Sequence, residues 1–284
     1  MYIMSAPSYA CMDAILILGL IILSIAAGLI GSLFGLGGGI IVVPVLTILY
    51  GMPSAEAAAV SLVAIVAISS TSASSLIKNR MTNVRIGLRL EVAAAAGAVV
   101  GAVIALYVQS WVLATCFAIV LIYSAVYMLL RPERLIQHDG PPSADSFVYR
   151  DAKTDEDIRY NVQNVGTGMI GFMAAGITSA LSGVGGGTIK IPVMNVHMRI
   201  PMKVATATSS YVIGITAFSG AVVYLLSGVL DIETAAFVTI GAFVGSFMGL
   251  KILPRINAYS MRRYFSVLLL FLASVMLLRV GGVL

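Results

Sequence analysis

The chain has 284 residues, 60% hydrophobic and only 10% charged, with a mean hydropathy of +1.02; soluble domains carry about 25% charged residues, so a soluble enzyme is excluded. A net charge of +5 would point to nucleic acid in a soluble protein, but here Lys and Arg sit in short segments between apolar runs, as topology signals do. Cys11 and Cys116 stand far apart, which excludes a disulfide framework or CxxC metal site, and no cofactor, metal or nucleic-acid partner is expected.

No Lys or Arg precedes the first apolar stretch, so it lacks the charged region of a cleavable signal and reads as a retained helix. Apolar segments follow at 13–34, 40–50, 55–77, 86–108 and 111–130. A polar stretch with Pro141-Pro142 and mixed charges, 131–161, reads as a solvated linker. The set then recurs at 162–181, 188–198, 202–227, 233–253 and 264–278. The runs are long rather than alternating, so the expected architecture is an all-α polytopic membrane protein and not a β-barrel. Its parts are a first transmembrane repeat at 13–130, the linker at 131–161 and a second repeat at 162–284.

One offset of 148 residues superposes the halves without a gap. Gly28 falls on Gly176, Gly37 to Gly39 on Gly185 to Gly187, Pro44 on Pro192, Ser61 on Ser209, Gly97 on Gly245 and Gly101 on Gly249. Charge then orients each copy. Lys78, Arg80, Arg85 and Arg89 lie between the third and fourth segments of the first half, which places that loop in the cytoplasm. The equivalent loop of the second half holds Asp231 and Glu233, while Arg199, Lys203, Lys251, Arg255, Arg262 and Arg263 fall on the other side. The pattern inverts, which predicts two inverted-topology repeats in the inner membrane, a cytoplasmic linker and both termini outside. A substrate site is expected where such repeats meet.

The second segment of each half is half the length of a span. Each follows a glycine cluster, Gly35-Leu36-Gly37-Gly38-Gly39 or Gly183-Val184-Gly185-Gly186-Gly187, and carries a proline, Pro44 or Pro192. Glycine permits a broken helix, and the half-helix that starts after it aims free N–H groups and a positive dipole end into the gap. That arrangement suits an anion. Neither cluster has the Lys-Ser/Thr of a P-loop or the spacing of GxGxxG, and the scattered pairs Gly97/Gly101 and Gly245/Gly249 read as helix packing.

Lys190 stands where the first half has Val42. An intramembrane cation reads as a binding residue, against snorkelling or pairing with a carboxylate. Ser182, Thr188 and Asn195 near the second elbow, and Ser61, Thr208 and Ser209 early in the third segments, complete the candidate cage. The serine-rich run from Ser69 to Ser75 suits either a water-accessible path or close packing. Carboxylates are scarce at depth: Glu56, Asp231 and Glu233 sit at outer helix ends, and Glu91 follows shortly after Arg89. His197 reads as interfacial, and a Ser182–His197 hydrolase dyad lacks the GxSG sequence it needs.

The strings GSLFGLGGGIIVVPVL (31–46) and LSGVGGGTIKIPVMN (181–195) resemble the duplicated elbows of the sulfite exporter TauE/SafE family, over nearly the whole chain. The match departs at Ala59-Val60-Ser61 and Ala207-Thr208-Ser209, where that family often has Gly-Thr-Ser. The resemblance implies a transporter of sulfite, organosulfonates or related small anions, usually outward, by alternating access. A small-anion channel and a carboxylate transporter stay open as alternatives, homo-oligomerisation is undecided, and the scarcity of deep carboxylates favours uniport or a proton carried on the substrate itself.

Overall fold

The computed structural model describes residues 14–78, 82–130, 146–150 and 157–252, with single positions between 267 and 278. Its helices are α1 (Ala14–Phe34), α2 (Gly39–Ile48), α3 (Ser54–Lys78), α4 (Val84–Tyr107), α5 (Ser110–Leu130), α6 (Val165–Ser182), α7 (Gly187–Pro192), α8 (Met202–Leu226) and α9 (Ile232–Ile252). Strands β1 (Ser146–Arg150) and β2 (Asp157–Asn161) form one antiparallel hairpin. Six of the described helices, α1, α3, α4, α6, α8 and α9, are long and apolar enough to cross a membrane. Most of the tenth apolar segment and much of the linker, 131–145 and 151–156, lie outside the described residues, as do the termini.

Glycine sets how closely these helices cross, because in lipid the packing of small residues replaces the hydrophobic drive. A methyl on Gly28 in α1 would collide with the Ala242 carbonyl of α9, and one on Gly176 in α6 with the Ala94 carbonyl of α4. The 148-residue offset maps the first contact onto the second. It likewise maps Gly97 against Met173 onto Gly245 against Ile25, and Gly101 against Ile177 onto Gly249 against Leu29. The packing role expected for these four glycines is what the helices use, and carbonyls so close to a Cα suit weak Cα–H···O bonds.

The same contacts give helix direction. Along α1 and α9 they advance together, Gly241 beside Ile21, Gly245 beside Ile25 and Gly249 beside Leu29. α4 runs with α6 and also with α8, where Asn83 meets Thr208 and Glu91 meets Thr216. α3 and α8 run oppositely, since Leu62 meets Gly220 and Ser69 meets Ser210. A short turn reverses the chain from α8 to α9. So α1, α3 and α9 run one way and α4, α6 and α8 the other.

α2 folds back along α1: Gly38 packs on the Ala27 carbonyl, and Tyr50, beyond the end of α2, donates to the Leu16 carbonyl at 2.9 Å. α1 and α2 are therefore a hairpin about the first glycine cluster. α7 is shorter. Pro192 has no N–H for the turn below it, and the chain beyond opens into a wider π-helical turn over Val193–His197.

The charged linker was expected to be solvated, but its β-hairpin docks. Tyr160 and Val162 are buried with Ile86, Leu90, Met198 and Val204, and the Tyr160 ring stacks on Phe147 at 5.9 Å. The outer faces are apolar as lipid demands: Val99, Val100, Val103 and Ile104 of α4 and Phe243, Val244, Phe247 and Met248 of α9 are exposed.

Candidate functional site

The two glycine clusters meet near the middle of α3 and α8. Three glycines of each adopt the left-handed conformation, Gly35, Gly37 and Gly38 at φ 70°, 82° and 76°, and Gly183, Gly185 and Gly186 at 70°, 85° and 74°. Such φ values strongly favour residues without a Cβ. A methyl on Gly39 would strike the Gly183 carbonyl, and one on Gly187 would lie 2.7 Å from the Gly35 carbonyl oxygen. The carbonyl ends of α1 and α6 thus press on the N-terminal ends of the opposite half-helices.

Serines pin this exchange. Ser61 of α3 donates to the Gly183 carbonyl at 2.7 Å, and its equivalent Ser209 of α8 donates to the Gly35 carbonyl at 3.2 Å. Ile65 and Ile213, also equivalent and one turn further on, close over both clusters: Ile65 packs on Gly37, Gly39 and Gly185, and Ile213 on Gly37, Gly185 and Gly187. Sequence reasoning missed these two isoleucines, although the 148-residue offset pairs them.

At the half-helix starts, Gly38 accepts from Ile41 and Val42, and Gly186 accepts from Ile189 and Lys190. The N–H groups of 38–40 and 186–188 find no acceptor among the described residues. Beside them the Thr188 hydroxyl is buried without a hydrogen-bond partner. Its first-half equivalent is the buried Ile40. Free N–H groups at a helix start and an unpartnered hydroxyl can receive an anion.

The remaining candidates divide. Thr208 accepts from the Asn83 N–H at 3.0 Å, where the β-hairpin docks, since Asn83 Nδ2 also donates to the Tyr160 hydroxyl at 2.9 Å. Ser182 donates to its own helix at the Thr178 carbonyl, 2.5 Å away, and Asn195 donates to the Ile200 carbonyl at 3.0 Å, so both serve local backbone in this arrangement. His197 is exposed with Nε2 2.5 Å from the Thr167 hydroxyl, which leaves Ser182 and His197 with different partners. The serine-rich run packs helices together: Ser69 bonds the Ser210 and Tyr211 carbonyls of α8, and Thr71 bonds Ser246 of α9 at 2.5 Å.

Lys190 is 0% exposed and its Nζ lies 2.8 Å from Glu91 Oε2 and 2.5 Å from the Thr216 hydroxyl. Glu91 Oε1 accepts the Thr216 N–H at 2.8 Å as well as the Thr216 hydroxyl. The Phe172 ring covers the ammonium, 5.5 Å from its centroid, within cation–π range. Glu91 corrects the expectation that placed it with the non-buried carboxylates: it is 1% exposed, because α4 starts at Val84 and turns Glu91 inward while Arg85 and Arg89 face out. Lys190 and Glu91 are 99 residues apart in sequence, and neither periodicity nor spacing links them.

The place related to this pair by the 148-residue offset holds no such pair. Val42, Ile68 and Thr239 stand at the equivalents of Lys190, Thr216 and Glu91, with Ser24 in place of Phe172. A small apolar cavity lies there, lined by Leu20, Ser24, Val42, Leu46 and Val238 among others.

Comparison with known proteins bears on the whole chain. The profile described as sulfite exporter TauE/SafE matches residues 20–276. A probable membrane transporter protein, YunE of Bacillus subtilis, is 28% identical over 243 residues, covering 82% of this chain and 87% of its own. A probable membrane transporter protein of Methanocaldococcus jannaschii is 28% identical over 275 residues, 91% of this chain and 94% of its own. The sulfite exporter TauE/SafE family protein 1 of Arabidopsis thaliana is 31% identical over 86 residues, 30% of this chain and 19% of its own. No solved structure matches the chain.

Proposed function

The chain belongs to the sulfite exporter TauE/SafE family and is a multi-pass membrane transporter, and from that premise we propose that it carries sulfite, an organosulfonate or a related small anion by alternating access between two inverted repeats. The observation that carries the reading is the interlock of the glycine clusters, where each half-helix N-terminus is opposed by the other half's terminal carbonyl. Those carbonyls occupy the place an anion would take. Sliding one half against the other withdraws Gly35 from Gly187, or Gly183 from Gly39, and presents free N–H groups to the anion. Ser61 and Ser209 then turn from carbonyl to substrate, Thr188 supplies a further donor, and Ile65 and Ile213 close the path on either side. Binding at the repeat interface follows the logic of other discontinuous-helix carriers.

The test is thermal unfolding of the detergent-purified protein against sulfite, sulfoacetate, taurine, thiosulfate, sulfate, lactate and chloride, followed by counterflow in proteoliposomes with the anions that stabilise. A ligand bound to the native state alone adds about 2.7 kcal/mol at a hundredfold excess over its Kd. Stabilisation by a sulfur anion with saturable counterflow supports the proposal. Stabilisation by lactate alone moves the assignment to carboxylates, and ohmic current without counterflow replaces the carrier by a channel. Thr188→Val is expected to weaken the effective anion about tenfold, the equivalent of 1.4 kcal/mol, without lowering the melting temperature of the unliganded protein.

A further inference from the structure

Resting on the transport reading above, we propose that Glu91 is a proton-binding carboxylate whose protonation releases Lys190 to the anion, so that one proton and one anion cross together. Three observations support this. The ion pair is fully buried and closed on itself: Glu91 Oε2 takes Lys190, Oε1 takes both the N–H and the hydroxyl of Thr216, and the Thr216 hydroxyl accepts from Lys190 while donating to Glu91. Within that triangle the Lys190 ion pair is the contact that requires Glu91 to be ionised, since a protonated carboxyl keeps a carbonyl oxygen that accepts from Thr216.

The fold does not require the pair. The equivalent crossing, related by the 148-residue offset, is reached with Val42, Ile68 and Thr239 at these places, and Val42 and Ile68 are buried. Two charges taken out of water are expensive even when paired, so an ion pair retained beside an apolar solution in the same molecule, and at membrane depth, points to ion or proton handling.

The pair also reaches the elbow and α8. Lys190 lies three residues beyond Gly187, within a turn of the unpartnered Thr188 hydroxyl. On α8 the Thr216 N–H is held by Glu91, and two residues earlier the Ser69 hydroxyl stands between the Ser210 carbonyl and the Gly214 N–H, donating to one and accepting from the other. Side chains thus enter the backbone ladder of α8 beside Ser209, a recognised cause of helix bending.

A proton arriving at Glu91 forms an O–H bond there and leaves Lys190 as an uncompensated buried cation, which an anion at the α7 N-terminus neutralises. Departure of the proton restores the pair and displaces the anion. For a monoanion the cycle is electroneutral. Among the elements packed on Glu91, α6 carries no ionisable side chain. α8 carries Lys203 in its first turn, Tyr211 and Tyr224, the last donating to the Ala180 carbonyl. Lys190 is the charged group that faces Glu91.

The experiment uses full-length protein in proteoliposomes, with an inward gradient of isethionate, a sulfonate with no group that titrates near neutrality, and a pH-sensitive dye inside. Wild type is expected to acidify the lumen as isethionate enters, at a rate unaffected by clamping the membrane potential. Influx should rise about tenfold per unit fall in external pH on the limb where Glu91 is ionised. Glu91→Gln is expected to keep isethionate counterflow, lose lumen acidification and lose the pH dependence. Should that variant fail to fold, Glu91→Gln combined with Lys190→Met, which leaves no unpaired charge, is expected to lose lumen acidification and the pH dependence, with isethionate counterflow weakened because no cation remains to neutralise the anion. Isethionate entry by wild type without acidification, or acidification that persists in either variant, overturns the proposal while leaving transport intact. Absence of wild-type isethionate counterflow overturns the sulfonate transport reading and this inference with it.

Discussion

At the scale of single residues, the same atom can be indispensable or idle according to what a Cβ would meet. Gly176 and Gly28 face carbonyls at helix crossings, whereas Gly166 has nothing within 4 Å. Gly176→Ala and Gly28→Ala are each expected to lower stability by about 1–3 kcal/mol through overpacking, and Gly166→Ala to leave the melting temperature in detergent nearly unchanged. The buried pair gives a sharper contrast. Lys190→Met alone strands Glu91 and should cost about 3–5 kcal/mol, while adding Glu91→Gln should recover most of it, read as a double-mutant cycle of thermal unfolding. Additive losses would show that the two charges do not depend on one another. Lys190 was legible in the sequence as an anomaly, a cation inside an apolar half-helix. Its partner was not, because Glu91 lies between Leu90 and Val92 close behind Arg89, and only the packing of α4 on α6 and α8 decides which way it turns.

At the scale of elements, the glycine clusters and their short helices were readable because each signal is local: a run of glycines, a proline five residues later, and too few apolar residues for a span. The β-hairpin was not. Phe147 and Tyr149, then Ile158 and Tyr160, alternate as strands do, but charged residues surround them and mask the pattern. What fixes the hairpin is tertiary: Tyr160 is buried against Ile86, Val204 and Met198, with its hydroxyl on Asn83, whose own N–H reaches Thr208 of α8. Tyr160→Ala removes a large buried ring and one hydrogen-bond acceptor, so the hairpin should detach. Trypsin is then expected to cut after Arg159 many times faster than in wild type, with the membrane helices still folded by circular dichroism. Equal cleavage rates would mean that the buried ring does not hold the hairpin.

At the scale of the whole molecule, the duplication was legible because the offset of 148 is uninterrupted, and the physical reason for it lies in the crossings. A contact such as Gly28 on Ala242 finds its counterpart as Gly176 on Ala94 only if the halves exchange places about a two-fold axis. Whether that axis lies in the membrane plane is a question of which side equivalent residues face, and one pair tests it. Arg85, in the first turn of α4, is equivalent to Glu233, in the first turn of α9; both are exposed and they carry opposite charge. By the positive-inside rule the excess of Lys and Arg on the Arg85 side is expected to face the cytoplasm. In a chain freed of Cys11 and Cys116, Glu233→Cys should react with a membrane-impermeant maleimide added to intact cells, and Arg85→Cys only after permeabilisation. Two halves related by an axis along the membrane normal would put both cysteines on one side, and labelling of both or neither in intact cells would exclude the inverted arrangement on which alternating access at the glycine clusters depends.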